Sequence, residues 1–150
     1  MPWTEHTSVN WGHWDLRAWM ARFPSESVAA KFGADQQSFD IRFLEDLLAR
    51  LGDEFDLLAQ LGFLYTQASR YRDGLAIDRR LVALRPRDPT AYYNLACSHS
   101  QLKATTRAFA ALRRAIELGY RDIEHMQIDP DLENIRKDPR WGDIRAVMHL

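Results

Sequence analysis

FDLLAQLGFLYTQASRYRDGLAIDRRLVALRPRD, residues 55–88, runs directly into PTAYYNLACSHSQLKATTRAFAALRRAIELGYRD, residues 89–122. Laid side by side at an offset of 34 residues, the two strings share eight identities. Leu61 meets Leu95, Gln67 meets Gln101 and Ala76 meets Ala110; Arg79-Arg80 meets Arg113-Arg114, Leu84 meets Leu118, and Arg87-Asp88 meets Arg121-Asp122. Gly62 opposite Ala96 and Gly74 opposite Ala108 exchange one small residue for another. Self-similarity at a fixed period of this length marks a repeat built from one helical hairpin, each copy burying its apolar face on the next.

The hairpin can be read inside each copy. Leu57, Leu58, Leu61, Leu64 and Tyr65 make a first helix over about 54–68. Ser69 to Asp73 turns the chain into a second helix, about 72–84, carrying Leu75, Ile77, Leu81, Val82 and Leu84. Pro86 and Pro89 break it, because proline cannot continue a helix interior. The second copy gives helices over about 89–101 and 105–118, the latter opened by Thr105-Thr106 and stopped at Gly119. Small residues at 62, 74, 96 and 108 let the paired helices approach closely.

Outward from this centre, Ser38 begins a helix to Leu51, closed by Gly52, with Phe39, Phe43 and Leu47 on one edge and Ile41, Leu44, Leu48 and Leu51 on the next. It has no first helix of its own, so 38–54 reads as a half-repeat. Residues 1–37 hold Trp3, Trp11, Trp14 and Trp19, with short helices expected over 11–22 and 25–33. This segment reads as a cap over the end of the stack, or as an interaction surface built on Trp11, Trp14 and Trp19. Residues 123–150 hold two short turns and a final helix from Asp138 to about 149, with Leu132, Ile135, Trp141, Ile144 and Val147 expected to cover the last hairpin. Asp129-Pro130 and Asp138-Pro139 read as helix caps followed by proline at the first helical position, not as metal or catalytic carboxylates.

Leu61-Gly62, Tyr65, Gly74, Leu81 and Pro86, and then Tyr92, Leu95-Ala96, Ala108, Leu112 and Ala115, fall on signature positions of the tetratricopeptide repeat (TPR) motif. The chain resembles that family strongly over residues 55–122 and loosely over 38–51. Its closing segment, from Gly119 through Trp141, looks like the terminal segment of many bacterial members. The resemblance implies an all-α fold: a short right-handed TPR solenoid of about two and a half hairpins with helical caps. It also implies a non-catalytic protein-interaction module that takes a peptide or helical segment of a partner in the concave groove of its first helices. Groove positions carried over from the motif are Asp56, Ala59, Gln60, Phe63 and Gln67, then Tyr93, Asn94, Cys97 and Gln101. These read as a neutral surface of amides flanked by two aromatic anchors. Chaperone-binding members clamp a C-terminal carboxylate with basic residues and asparagine. Only Asn94 matches; Ala59, Phe63, Glu124 and Ile128 stand at other clamp positions, so no carboxylate clamp is expected.

Composition excludes much else. Twenty basic and 21 acidic side chains give a net charge of −1, which offers no global attraction for nucleic acid or anionic membrane. No apolar run approaches the ~18 residues of a membrane span, and Met1 to His6 does not begin a signal peptide. The single cysteine, Cys97, allows no internal disulfide. A cytoplasmic protein is expected, with another protein as partner or with self-association through the tryptophan-rich segment as the alternative. Cys97 and His99, two apart on one helix, make a poor nucleophile–base pair, and the five histidines show no zinc spacing. No enzyme, cofactor or metal is expected. Asp78 and His99 both stand where the motif favours apolar or aromatic residues, and are expected to form a buried hydrogen-bonded pair.

Overall fold

The computed structural model describes residues 35–148. Every regular element among them is helical: α1 (Gln36–Leu51), α2 (Phe55–Gln67), α3 (Tyr71–Leu84), α4 (Pro89–Gln101), α5 (Thr105–Glu117), α6 (Ile123–Ile128), a 3-10 turn (Pro130–Leu132), α7 (Glu133–Arg136) and α8 (Trp141–Val147). The helices expected over 11–22 and 25–33, and with them Trp11, Trp14 and Trp19, lie outside the described residues. None of the described helices is long and apolar enough to cross a membrane.

Local chemistry sets the boundaries. The α1 helix starts two residues earlier than Ser38, because the Asp35 carboxylate accepts a hydrogen bond from the Ser38 N–H at 2.8 Å and caps it. Asp88 does the same for α4, accepting from Thr90 N–H at 2.8 Å with Pro89 at the first helical position. The helices α2, α4 and α5 end alike. Arg70, Ala104 and Tyr120 donate backbone bonds of 2.8–2.9 Å to carbonyls five residues earlier. The residues before them, Ser69 (φ 57°), Lys103 (φ 58°) and Gly119 (φ 110°), are left-handed. The final helix starts at Trp141, later than expected, since Asp138 caps a tight turn through the Arg140 N–H at 2.9 Å.

Consecutive helices pack against one another from α1 to α5, and the 3-10 turn and α7 fold back onto α4. Two apolar clusters result. The first joins Ile41, Leu44 and Leu48 of α1, Leu58, Leu61, Leu64 and Tyr65 of α2, and Ile77 and Leu81 of α3. In it α2 and α3 approach so closely that a Cβ at Gly62 would lie 3.2 Å from Ile77 Cγ2. The second joins α4 and α5 to Met126, Leu132, Ile135, Trp141, Ile144 and Met148. Val147, expected here, is 63% exposed, and its neighbour Met148 is buried in its stead, successive residues at a helix end pointing about 100° apart. Burying a side chain of Leu or Ile size contributes roughly 1.5–3 kcal/mol, so Leu112, Leu132, Ile135 and Ile144, all essentially inaccessible, anchor the closing segment.

Between the clusters the packing turns polar. Ser98 Oγ of α4 donates to Asp78 Oδ2 of α3 at 2.5 Å, both side chains being buried. The expected Asp78–His99 pair is not formed. Ser98 and His99 are neighbours on α4 and point about 100° apart, and it is Ser98 that faces α3. His99 is buried with its Nδ1 lacking a partner among the described residues.

Candidate functional site

A cleft of about 320 Å³ opens along α2 and α4 and is closed by α3 on one side and the α6–α7 segment on the other. Gln60 and Phe63 of α2 and Tyr93, Asn94, Cys97 and Gln101 of α4 line it, together with Ala59. Asp56 and Gln67 do not. They sit near the two ends of α2, Asp56 a turn before Ala59 and Gln67 next to the lining residue Thr66 but outside the cleft.

Tyr93 departs from its expected role as an exposed anchor. It is buried, stacks on Tyr120 at 4.2 Å between ring centroids, and donates its hydroxyl to Asp129 Oδ2 at 2.6 Å. It is a wall of the cleft. Burial first, then the thiol and carboxylate beside it, pushes its phenol well above the ordinary range, so it stays a donor. Phe63, 43% exposed, is the accessible aromatic, and Asn94 is exposed beside it.

The lining is also not neutral. Asp78 enters from α3, and Asp129 and Asp131 enter from the segment that folds back after α6. Asp129 is the N-cap of the 3-10 turn, its Oδ1 accepting from the Asp131 N–H at 2.9 Å. Its Oδ2 serves the cleft, with Tyr93 as donor, the Cys97 thiol at 3.8 Å and His125 Nε2 at 3.2 Å. Asp131 accepts from Gln101 Nε2 at 2.6 Å. Asn134 donates to the Ser100 carbonyl at 2.9 Å, and Arg136 to the carbonyls of Met126 and Asp129, which pins the segment to α4 and to itself.

Crowding of acids in a half-dry cleft shifts their titration. Burial raises the Asp78 carboxyl to about 6; the Ser98 bond opposes this and Asp131 adds to it. Asp131 is raised as well, by burial and by Asp129, against its bond from Gln101. Cys97 is held well above the usual thiol range by burial and by the three carboxylates, so it is protonated and a poor nucleophile. Ligand atoms of Cys97, Asp129 and Asp131 lie within 4.8 Å of one another. A metal there would have to displace the donors that Tyr93 and Gln101 already supply to these carboxylates.

Sequence reasoning missed Asp129, Asp131 and His125. Their Asp-Pro signal was real but incomplete: Asp129 does cap a turn, with one oxygen, and the other oxygen belongs to the cleft. Asp78, noticed because a carboxylate stood at an apolar position, does reach the site, through Ser98.

No protein-family model matches the chain, and no solved structure matches it. Among curated proteins, a chloroplastic protein from Arabidopsis thaliana is 30% identical over 79 residues, which cover 51% of this chain. The chain spans about a quarter of that protein's length (24%).

Proposed function

We propose that the chain is a short tetratricopeptide-type solenoid whose cleft docks a segment of a partner protein, and that it is an interaction module without catalysis. One observation carries this reading. Seven positions expected to face a groove, on two different hairpins, line one continuous cleft, and they present amides and an exposed phenyl ring. Gln60 and Asn94 are suited to the backbone of an extended segment, and Phe63 supplies apolar contact area. The shared 34-residue offset of the hairpins, down to their left-handed turn residues Ser69 and Lys103, supports the repeat assignment. A protonated cysteine, a buried tyrosine and carboxylates bound to fixed donors favour recognition over turnover.

A peptide-display selection on the intact protein tests it. Selected peptides should bind wild type and lose about tenfold or more affinity to Phe63→Ala/Asn94→Ala, a loss in the range of hot-spot truncation. Both positions are exposed, so circular dichroism should be unchanged. Peptides that bind both forms equally would move the working surface elsewhere.

A further inference from the structure

We infer that the cleft selects its partner segment by a positively charged side chain, an arginine or lysine seated among Asp78, Asp129 and Asp131. This rests on the docking reading above and adds the polarity of the ligand. The three carboxylates come from α3 and from the folded-back segment, and each is held from α4: Asp78 by Ser98, Asp129 by Tyr93 and Asp131 by Gln101. They are therefore positioned before any ligand arrives, which lowers the ordering cost of binding.

No lysine or arginine lines the cleft among the described residues; His125, against Asp129, is its one basic group. Elsewhere acids are matched in place: Asp53 by Arg80, Asp73 by Arg70, Asp138 by Arg140 and Glu133 by Lys137. Two acids of the cleft, Asp78 and Asp129, are buried, and only Asp129 has a basic group beside it. Asp78 is only 7% exposed, one oxygen takes the Ser98 bond, and Oδ1 has no hydrogen-bond partner among the described residues. That oxygen sits on the Gly62 side, where a Cβ would come within 3.8 Å of it, so the missing side chain at 62 leaves it uncovered. It opens to the cleft with its lone pairs free for a donor from a ligand. A guanidinium or ammonium group supplies the N–H donors and offsets the burial, and after it the neighbouring acids, that raise Asp78 and Asp131. Phe63 and Tyr71, which flank the same cleft, offer ring faces for the approach of a guanidinium.

Magnetic-resonance titration of the isotope-labelled intact chain with Nα-acetyl-arginine N-methylamide, beside its uncharged citrulline counterpart, tests this directly. Arginine should shift the amides of Asp78, Ser98, Gln101 and Asp131, bind about tenfold or more tighter than citrulline, and weaken with added salt. Asp78→Asn and Asp131→Asn should each reduce binding several-fold. Asn at 78 keeps an acceptor for Ser98, so the fold should persist. Equal binding of both compounds, or shifts outside the cleft, would overturn the inference. So would zinc or magnesium chloride shifting those amides where arginine does not, which would make the cluster a metal site. The display selection separates the two levels. Cleft-binding peptides without arginine or lysine enrichment overturn the charge preference and leave docking standing. Arginine in the cleft with no peptide binder leaves the cation site and overturns docking.

Discussion

The two hairpins share one backbone plan and differ in what they bury. In the first, Tyr65 is buried and its hydroxyl donates to Glu45 of α1 at 2.5 Å. At the matching place in the second, 34 residues on, His99 is equally buried and its Nδ1 has no partner among the described residues. Leu112 is wholly buried in the second hairpin, whereas its counterpart in the first is Asp78. Leu64 is matched by Ser98, and Phe63 by Cys97. All of these polar exchanges lie on α4 or on the α3 face that meets it. The hairpin interiors are apolar, and the joint between hairpins is not. The fold tolerates this because helix packing within each pair supplies most of the burial, which leaves the joint free for other chemistry.

Exchanging residues across the offset should break this comparison most severely at Leu112. Leu112→Asp puts the first hairpin's residue where no Ser98 equivalent meets it, and should cost about 3–5 kcal/mol, seen as loss of a cooperative urea transition. Asp78→Asn is the opposite case. Because folding raises the Asp78 carboxyl from its ordinary value to about 6, the native state holds more protons than the unfolded state between those values. Wild-type stability should therefore fall as pH rises from about 4 to about 6, by about 3 kcal/mol from this group. Asp78→Asn should remove that slope and melt higher than wild type at neutral pH; parallel pH profiles for the two proteins would refute it.

His99 pulls the other way. Burial, with Arg79 and Arg107 nearby, lowers its imidazole, so folding keeps it neutral and stability is lost as pH falls below its ordinary value of about 6.5. His99→Leu should remove both that loss and the orphaned Nδ1, raising stability by about 1–2 kcal/mol in thermal melts. The smallest change concerns what the hairpins share. Ser69→Gly and Lys103→Gly place glycine in left-handed turns and should each add about 0.5–1 kcal/mol, to similar extents; a gain in one hairpin alone would show that their turns are not equivalent.

Regular parts of the chain were readable because helices announce themselves periodically. Pro89, Gly52 and Gly119 marked ends that the structure keeps, and the matching of Gly62 with Ala96 located the close packing. The resemblance to the repeat motif, rather than periodicity, pointed to Gln60, Phe63, Asn94 and Gln101 as groove positions, and the four do line one cleft. Periodicity could not fix a neighbour to within one residue on a helix, where a step of about 100° separates Ser98 from His99. Nor could it tell that Tyr93 turns inward, because its partner Asp129 is 36 residues further on. An irregular segment folds back according to contacts such as Asn134 on the Ser100 carbonyl, and no repeating pattern encodes those. Hence the amides of the cleft were legible and two of its three carboxylates were not.

The position of Asp129 and Asp131 after both hairpins has a consequence in the time of synthesis. Hairpins of local contacts form quickly once they leave the ribosome, in microseconds to milliseconds, while translation adds roughly 5–20 residues per second. The apolar cluster of α1 to α3 can thus be in place several seconds before the last wall of the cleft emerges. A nascent chain stopped short of Asp129 would carry both hairpins with Tyr93 lacking its acceptor and Asp78 lacking its acidic neighbour. Such a fragment would hold the sequence of α1 to α5 but only one of the three cleft carboxylates, so cation binding reports on completion of this segment more sharply than helicity does.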